Sequence, residues 1–217
     1  MIRFEQVSKR YPGSAAALLN VDFTVEAGEF VVLCGHSGAG KSTLLKMIPV
    51  LERPNSGRIL VGTQDIGQLR PGAIPFYRRG LGMLLQEQTL LFDRSVYDNV
   101  MLPLAITGYP PRDADRRVRA ALEKVGLKGR EASPPVSLSG GEQQRLAIAR
   151  AIVNKPAILI ADEPTAHLDA AYAGEIAGLF KMFSQAGVTV IVSTHDPNLF
   201  HRFAPRLLRL NHGQLVS

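Results

Sequence analysis

The sequence predicts an α/β fold interrupted by a mainly helical insertion. Three observations lead there. Short apolar runs at Phe30–Cys34, Ala157–Ala161 and Val188–Ser193 are bounded by turn residues and separated by helical patterns, the signature of buried parallel strands. Ahead of the first run, Ile2 and Phe4, then Val21, Phe23 and Val25, alternate with polar residues as half-buried strands do. Between about Thr89 and Pro135 the alternation stops, and a proline-bearing stretch with one clear helical repeat takes its place.

Taken in order, residues 1–34 read as strands, with a turn at Ala27-Gly28. A glycine-rich loop follows, then a helical pattern from Lys41 that Pro49 ends or bends, because proline lacks the amide proton of the last turn. Gly57–Asp65 reads as a strand and turn. In the insertion, Val118, Ala121, Leu122 and Val125 fall at i, i+3, i+4 and i+7, with Asp113 and Asp115 near the start and Gly126 at the end. Beyond residue 139 come a helix to Asn154, the strand Ala157–Ala161, a helix near Tyr172–Phe183 and the strand Val188–Ser193.

Composition narrows the class. Hydrophobic residues at 46% and charged residues at 20% are ordinary globular usage, which argues against disorder. The single cysteine, Cys34, cannot form an internal disulfide and points to a reducing compartment. The start Met1-Ile2-Arg3-Phe4-Glu5 lacks a secretory apolar run, and no stretch reaches the roughly 18 apolar residues of a spanning helix. The expectation is a soluble protein that reaches a membrane only through a partner. A net charge of +6 suits nucleotide, nucleic acid or an anionic membrane face, or simply a solubilising surface.

The strongest chemical signal is Gly35-His36-Ser37-Gly38-Ala39-Gly40-Lys41-Ser42-Thr43. It fits G-x-x-x-x-G-K-[ST] without a mismatch, between an apolar strand and a helix. The glycines let successive amide protons point inward as a nest for phosphate oxygens, and the helix N-terminus adds partial positive charge. Lys41 can reach the β- and γ-phosphates, and the Ser42 hydroxyl can ligate Mg²⁺. A second signal, Ile158-Leu159-Ile160-Ala161-Asp162-Glu163, ends a buried strand in two adjacent acids. Burying such a pair is costly unless a cation or water receives it. Asp162 is placed for the Mg²⁺ shell, and Glu163 to orient or deprotonate a water.

A third signal is Leu138-Ser139-Gly140-Gly141-Glu142-Gln143-Gln144-Arg145. Ser139 and Glu142 have the spacing of a capping box, while the two glycines leave backbone amides open to a ligand. Two phosphate-binding helix starts in one chain suggest that two copies clasp nucleotide between them.

Together these residues resemble the ABC ATPase family, with Walker A at Gly35–Thr43, the signature at Leu138–Arg145 and Walker B at Ile158–Asp162. The resemblance covers nearly the whole chain. It implies a P-loop core over 1–87 and 139–217 carrying an antiparallel β-subdomain, with an inserted α-helical subdomain over 88–138. It further implies that Tyr11 stacks on adenine, that Gln86 is the Q-loop glutamine near Mg²⁺, that Asp169 closes the D-loop and that His195 is the switch histidine. Taken singly, Tyr11 is more often a packing residue and His195 a satisfied loop histidine. The implied assembly is a head-to-tail dimer in which Ser139, Gly140 and Gly141 of one copy close over ATP on the other. Catalysis would rest on Glu163 and His195, with ATP and Mg²⁺ bound.

Within the family, Asp93–Val100, His36–Lys41 and Asn154–Ala157 resemble the bacterial cell-division branch. Its ATPase works at the cytoplasmic face of the inner membrane with an integral membrane partner, and relays ATP-driven motion to cell-wall hydrolases. Lipoprotein-release and macrolide-export ATPases share most of this core and remain the alternative. Pro49 and Ala166-His167 depart from the usual residues. A nucleic-acid-associated ABC protein is a rival of another class. One cassette without zinc-type cysteine clusters or a coiled-coil insertion argues against it, so no nucleic-acid partner is expected.

Overall fold

A computed structural model describes residues 1–13, 16–85, 90–166 and 168–216. The strands sort into two sheets. β1 (Ile2–Arg10), β2 (Ala16–Val25), β4 (Ser56–Val61) and β5 (Gln64–Asp65) form an antiparallel sheet in the order β2-β1-β4-β5. The second sheet has six strands in the order β10-β9-β3-β8-β7-β6. Its members are β3 (Phe30–Cys34), β6 (Leu81–Leu84), β7 (Ile158–Asp162), β8 (Thr189–Thr194), β9 (Arg206–Asn211) and β10 (Gln214–Val216). All its neighbours are parallel except β10, which returns antiparallel on β9.

The six-stranded sheet is covered on both faces. β3 shows why its sequence is apolar without alternation: Phe30 and Val32 enter one core, Val31 and Leu33 the other. The first core holds the helices α3 (Val96–Ile106), α4 (Pro111–Lys124), α5 (Gly140–Ile152) and α6 (Ala170–Gln185). The second joins α1 (Lys41–Met47) to the antiparallel sheet, with Phe4 and Phe23 stacked at 4.5 Å. Two short helices, α2 (Ile74–Arg78) and α7 (Asn198–His201), complete the fold. Among the described residues no helix is long and apolar enough to cross a membrane.

The expected strands and helices appear with boundaries moved by one or two residues. α1 stops at Met47, two residues before Pro49, and the amides of Val50 and Leu51 close onto the carbonyls of Met47 and Lys46. The stretch between residues 89 and 135 holds two helices rather than the one expected. α3 buries Val96, Asn99, Val100 and Leu104 at helical spacing, but Pro103 lies inside it and Leu102 and Ile106 are exposed. Apolar residues on both faces blur its period. α2, β6, β9 and β10 were also not anticipated, being short or, in β9, mostly exposed.

Candidate active site

The loop after β3 is shaped by what lies behind it. A Cβ at Gly35 would meet the Leu210 carbonyl at 2.3 Å, and one at Gly40 would meet the Ala17 carbonyl at 2.4 Å. Both glycines also have positive φ, so β9 and β2 approach closely where no side chain fits. The loop opens into a cavity of about 390 Å³ lined by Ser37–Thr43, Ala17, Ala166, Glu163 and His195. Larger cavities of about 660 and 850 Å³ lie elsewhere on the surface. The chemistry of the lining, not its size, selects this one.

Lys41 is 6% exposed and its ammonium donates to the carbonyls of Gly35 at 2.8 Å and His36 at 3.2 Å. It also faces Glu163 Oε1 at 3.4 Å. Glu163 directly follows the last residue of β7 and has φ of 49°, a conformation that costs a non-glycine residue about 1–3 kcal/mol. Its amide donates to the Ser193 carbonyl at 3.2 Å and hydroxyl at 3.0 Å. Its other oxygen accepts from the His195 amide at 3.2 Å and lies 2.9 Å from His195 Nδ1. The carboxylate therefore sits between an ammonium and an imidazole, facing the cavity.

Asp162, 3% exposed, accepts from the Ser193 hydroxyl at 2.5 Å. Ser193 was not singled out in the sequence, although one hydroxyl orders both acids. A serine inside an apolar strand is the only signal that could have found it.

The arrangement suits a polyphosphate. α1 begins at Gly40 without any side-chain cap, so its first amides remain open to an anion. The buried ammonium can exchange its carbonyl partners for phosphate oxygens. Ser42 and Asp162 offer hard oxygen donors of the kind Mg²⁺ prefers. No group of three or more His, Cys, Asp or Glu side chains able to hold a metal occurs among the described residues.

Other expected residues lie apart from this cavity. Ser139 caps α5: its hydroxyl accepts from the Glu142 amide, and Glu142 accepts from the Ser139 amide at 2.9 Å. Arg130 donates to the same carboxylate at 3.0 Å. These contacts hold the Glu142 carboxyl below its ordinary value, the Ser139 amide first among them. A Cβ at Gly140 would meet open space, whereas Gly141 packs on the Tyr172 ring. Asp169 caps α6, accepting from the amides of Ala171 and Tyr172 at 3.0 Å each. Tyr11 lines a neighbouring cavity with Lys9 over its ring at 5.1 Å. His36 faces His212 with ring centres 4.8 Å apart. Gln86 and His167 lie outside the described residues.

Comparison with known proteins agrees with this geometry. The ABC transporter family profile matches residues 18–166. The cell division ATP-binding protein FtsE of Escherichia coli strain K12 is 54% identical over 215 residues, 99% of this chain and 97% of that protein. The methionine import ATP-binding protein MetN 2 of Enterococcus faecalis is 37% identical over 221 residues, spanning all of this chain and 64% of that protein. Among solved structures, a dimeric post-hydrolysis state of the ATP-binding cassette MJ0796 bound to ADP and Pi superposes with a TM-score of 0.90. It is 35% identical and covers 100% of this chain and 97% of that one. The chain belongs to the ABC transporter ATP-binding family and is a nucleotide-binding ATPase.

Proposed function

We propose that this ATPase is the cytoplasmic subunit of an FtsE/FtsX-like membrane complex in bacterial cell division, where ATP hydrolysis controls cell-wall hydrolases. Hydrolysis itself rests on one observation, the Glu163 carboxylate held in the same cavity as Lys41 and His195. The division role draws support from 54% identity to FtsE against 37% to an importer subunit.

In this reading the triphosphate lies along Gly35–Thr43, its oxygens taken by loop amides. Lys41 leaves the carbonyls of Gly35 and His36 for the β- and γ-phosphates, which frees Glu163. Glu163 then accepts a proton from the attacking water, and His195 contacts the γ-phosphate. Ser42, Asp162 and Gln86 would hold Mg²⁺, which would supply charge neutralisation for the phosphate oxygens. Tyr11 stacks on adenine from the adjoining cavity.

Ser139 and Gly140, exposed at the start of α5, argue for a second copy. Ser139, Gly140 and Gly141 do not line their own chain's cavity, so a head-to-tail partner would bring them over its nucleotide, with Asp169 at the seam. Residues 88–138 form the helical subdomain and 1–87 with 139–217 the core. A groove of about 310 Å³ runs beside Pro75, Leu102, Pro103 and Ile106. The exposed ring of Phe76 is on the adjoining helix. Arg78, Arg79 and Arg150 line the same groove, and this apolar surface with cations beside it suits a cytoplasmic segment of the FtsX-like protein, which supports a position at the inner face of the membrane.

The test is to express tagged Glu163→Gln chain in its native cell, solubilise membranes with ATP and Mg²⁺, and identify what co-purifies. An FtsX-like membrane protein is expected. A transporter permease would reassign the complex, and salt-sensitive retention on nucleic acid without a membrane protein would overturn the membrane role.

A further inference from the structure

A cavity of about 660 Å³ lies away from the phosphate loop, where the C-terminal ends of α4, α5 and α6 approach the start of β8. About half of its wall is apolar, built from Ala121, Ile152, Val153, Phe183 and Val188. Arg116, Arg117, Lys124 and Lys155 also line it, and no carboxylate does. Arg116 is paired with Asp113 at 3.1 Å, and the Arg117 guanidinium rests over the Tyr109 ring at 4.2 Å. Lys124 and Lys155 are exposed and have no side-chain hydrogen bond or ion pair among the described residues.

The plain explanation for these cations is compensation of the helix ends. Each helix C-terminus carries about half an elementary negative charge, so three of them offset about one and a half cations. Asp113 accounts for one more. Roughly one and a half positive charges remain, set around a concave apolar floor. An ordinary solvated face has the charge without the floor. A volume between about 300 and 1,000 Å³ with apolar walls and a few convergent polar groups is the usual form of a small-molecule site.

We propose that this cavity binds an organic anion with an apolar body. Its phosphate or carboxylate meets Lys124, Lys155 and Arg117, and its apolar part lies on Val153 and Phe183. The site belongs to a single chain and is separate from the nucleotide. Such a ligand comes from one of two sources, a soluble organic phosphate or the headgroup and first acyl carbons of an anionic lipid.

The probe is 8-anilinonaphthalene-1-sulfonate, titrated by fluorescence into full-length protein with saturating ADP and Mg²⁺, so that the phosphate loop is filled. Wild type is expected to bind one equivalent. The Lys124→Glu/Lys155→Glu variant is expected to bind at least about tenfold more weakly, the loss of one to two charge contacts. Ala120→Trp, an exposed position that fills the cavity and leaves every charge in place, should weaken the probe to a similar degree. Neither variant touches the nucleotide machinery, so ATP hydrolysis should match wild type, and the double Glu variant should melt slightly lower because it puts negative charge at two helix ends. Displacement by dihexanoyl-phosphatidylglycerol but not by glycerol 3-phosphate assigns the lipid source, and displacement by glycerol 3-phosphate assigns the soluble one. Equal probe affinity in all three proteins overturns the site, as does failure of both anions to displace the probe.

Discussion

Lys41 and Glu163 define the site at the scale of single residues. The ammonium is almost fully buried, and among the described residues two carbonyls and one carboxylate hold it. Those partners satisfy it without nucleotide and are readily exchanged for phosphate. Lys41→Ala is therefore expected to weaken ATP binding, and unchanged affinity in a nucleotide titration would contradict the phosphate role. Glu163→Gln keeps the shape of the side chain and removes the carboxylate proposed as the base. It should bind ATP normally and turn over at least about 10²-fold more slowly, which a phosphate-release assay reads directly.

The loop glycines differ from one another in a measurable way. At Gly40 an added Cβ would lie 2.4 Å from the Ala17 carbonyl and 2.9 Å from Leu18 Cδ2, whereas at Gly38 it would meet nothing within 4 Å. Gly38→Ala should cost only the left-handed backbone, about 1–2 kcal/mol. Gly40→Ala adds an overpacking cost of about 1–3 kcal/mol to a similar backbone cost. Urea unfolding should rank the two in that order, and equal losses would contradict the close approach of β2.

Among the elements, α5 owes local stability to its first turn, where Ser139 and Gly140 are exposed. Its first turn is fixed by the reciprocal bonds of Ser139 and Glu142, with Arg130 behind the carboxylate. Because the Glu142 carboxyl titrates below its ordinary value in the folded chain, its contribution is complete above the unfolded value of about 4.3. It is lost as pH falls through the lower folded value. Glu142→Gln should lower the melting temperature at pH 7, and the gap to wild type should close below about pH 4. A gap that persists into acid would show that the charge is not what holds the turn.

α3 repeats the device. Ser95 and Asp98 form its capping box, and buried Asn99 both accepts from the Leu91 amide and donates to the Leu91 carbonyl at 2.9 Å. The Asp93–Val100 segment is thus a structural unit that ties the preceding loop to the helix start, which explains its spacing without any appeal to catalysis.

For the whole molecule, the decisive fact is that Ser139, Gly140 and Gly141 are not among the residues that line the cavity of Lys41 and Glu163. Size-exclusion chromatography of Glu163→Gln with ATP and Mg²⁺ should show a dimer that dissociates with ADP. A monomer under saturating ATP would count against the shared site.

Much of this was legible in the sequence because the information is local. The glycine-rich loop after β3, the two acids after β7 and the capping box at Ser139 each depend on spacing within a few residues, and backbone geometry dictates that spacing. The parallel strands were legible too, since burial on both faces leaves an unbroken apolar run. α3 was not, because Pro103 and its exposed apolar residues mask the period. Tertiary structure alone decided that Ser193 orders both acids and that Gly35 and Gly40 are pressed by β9 and β2. It also decided that Glu163 meets Lys41 and His195 in one cavity. Those contacts join residues well separated in the chain, 31 positions for Ser193 and Asp162 and 32 for Glu163 and His195, and no local pattern encodes them.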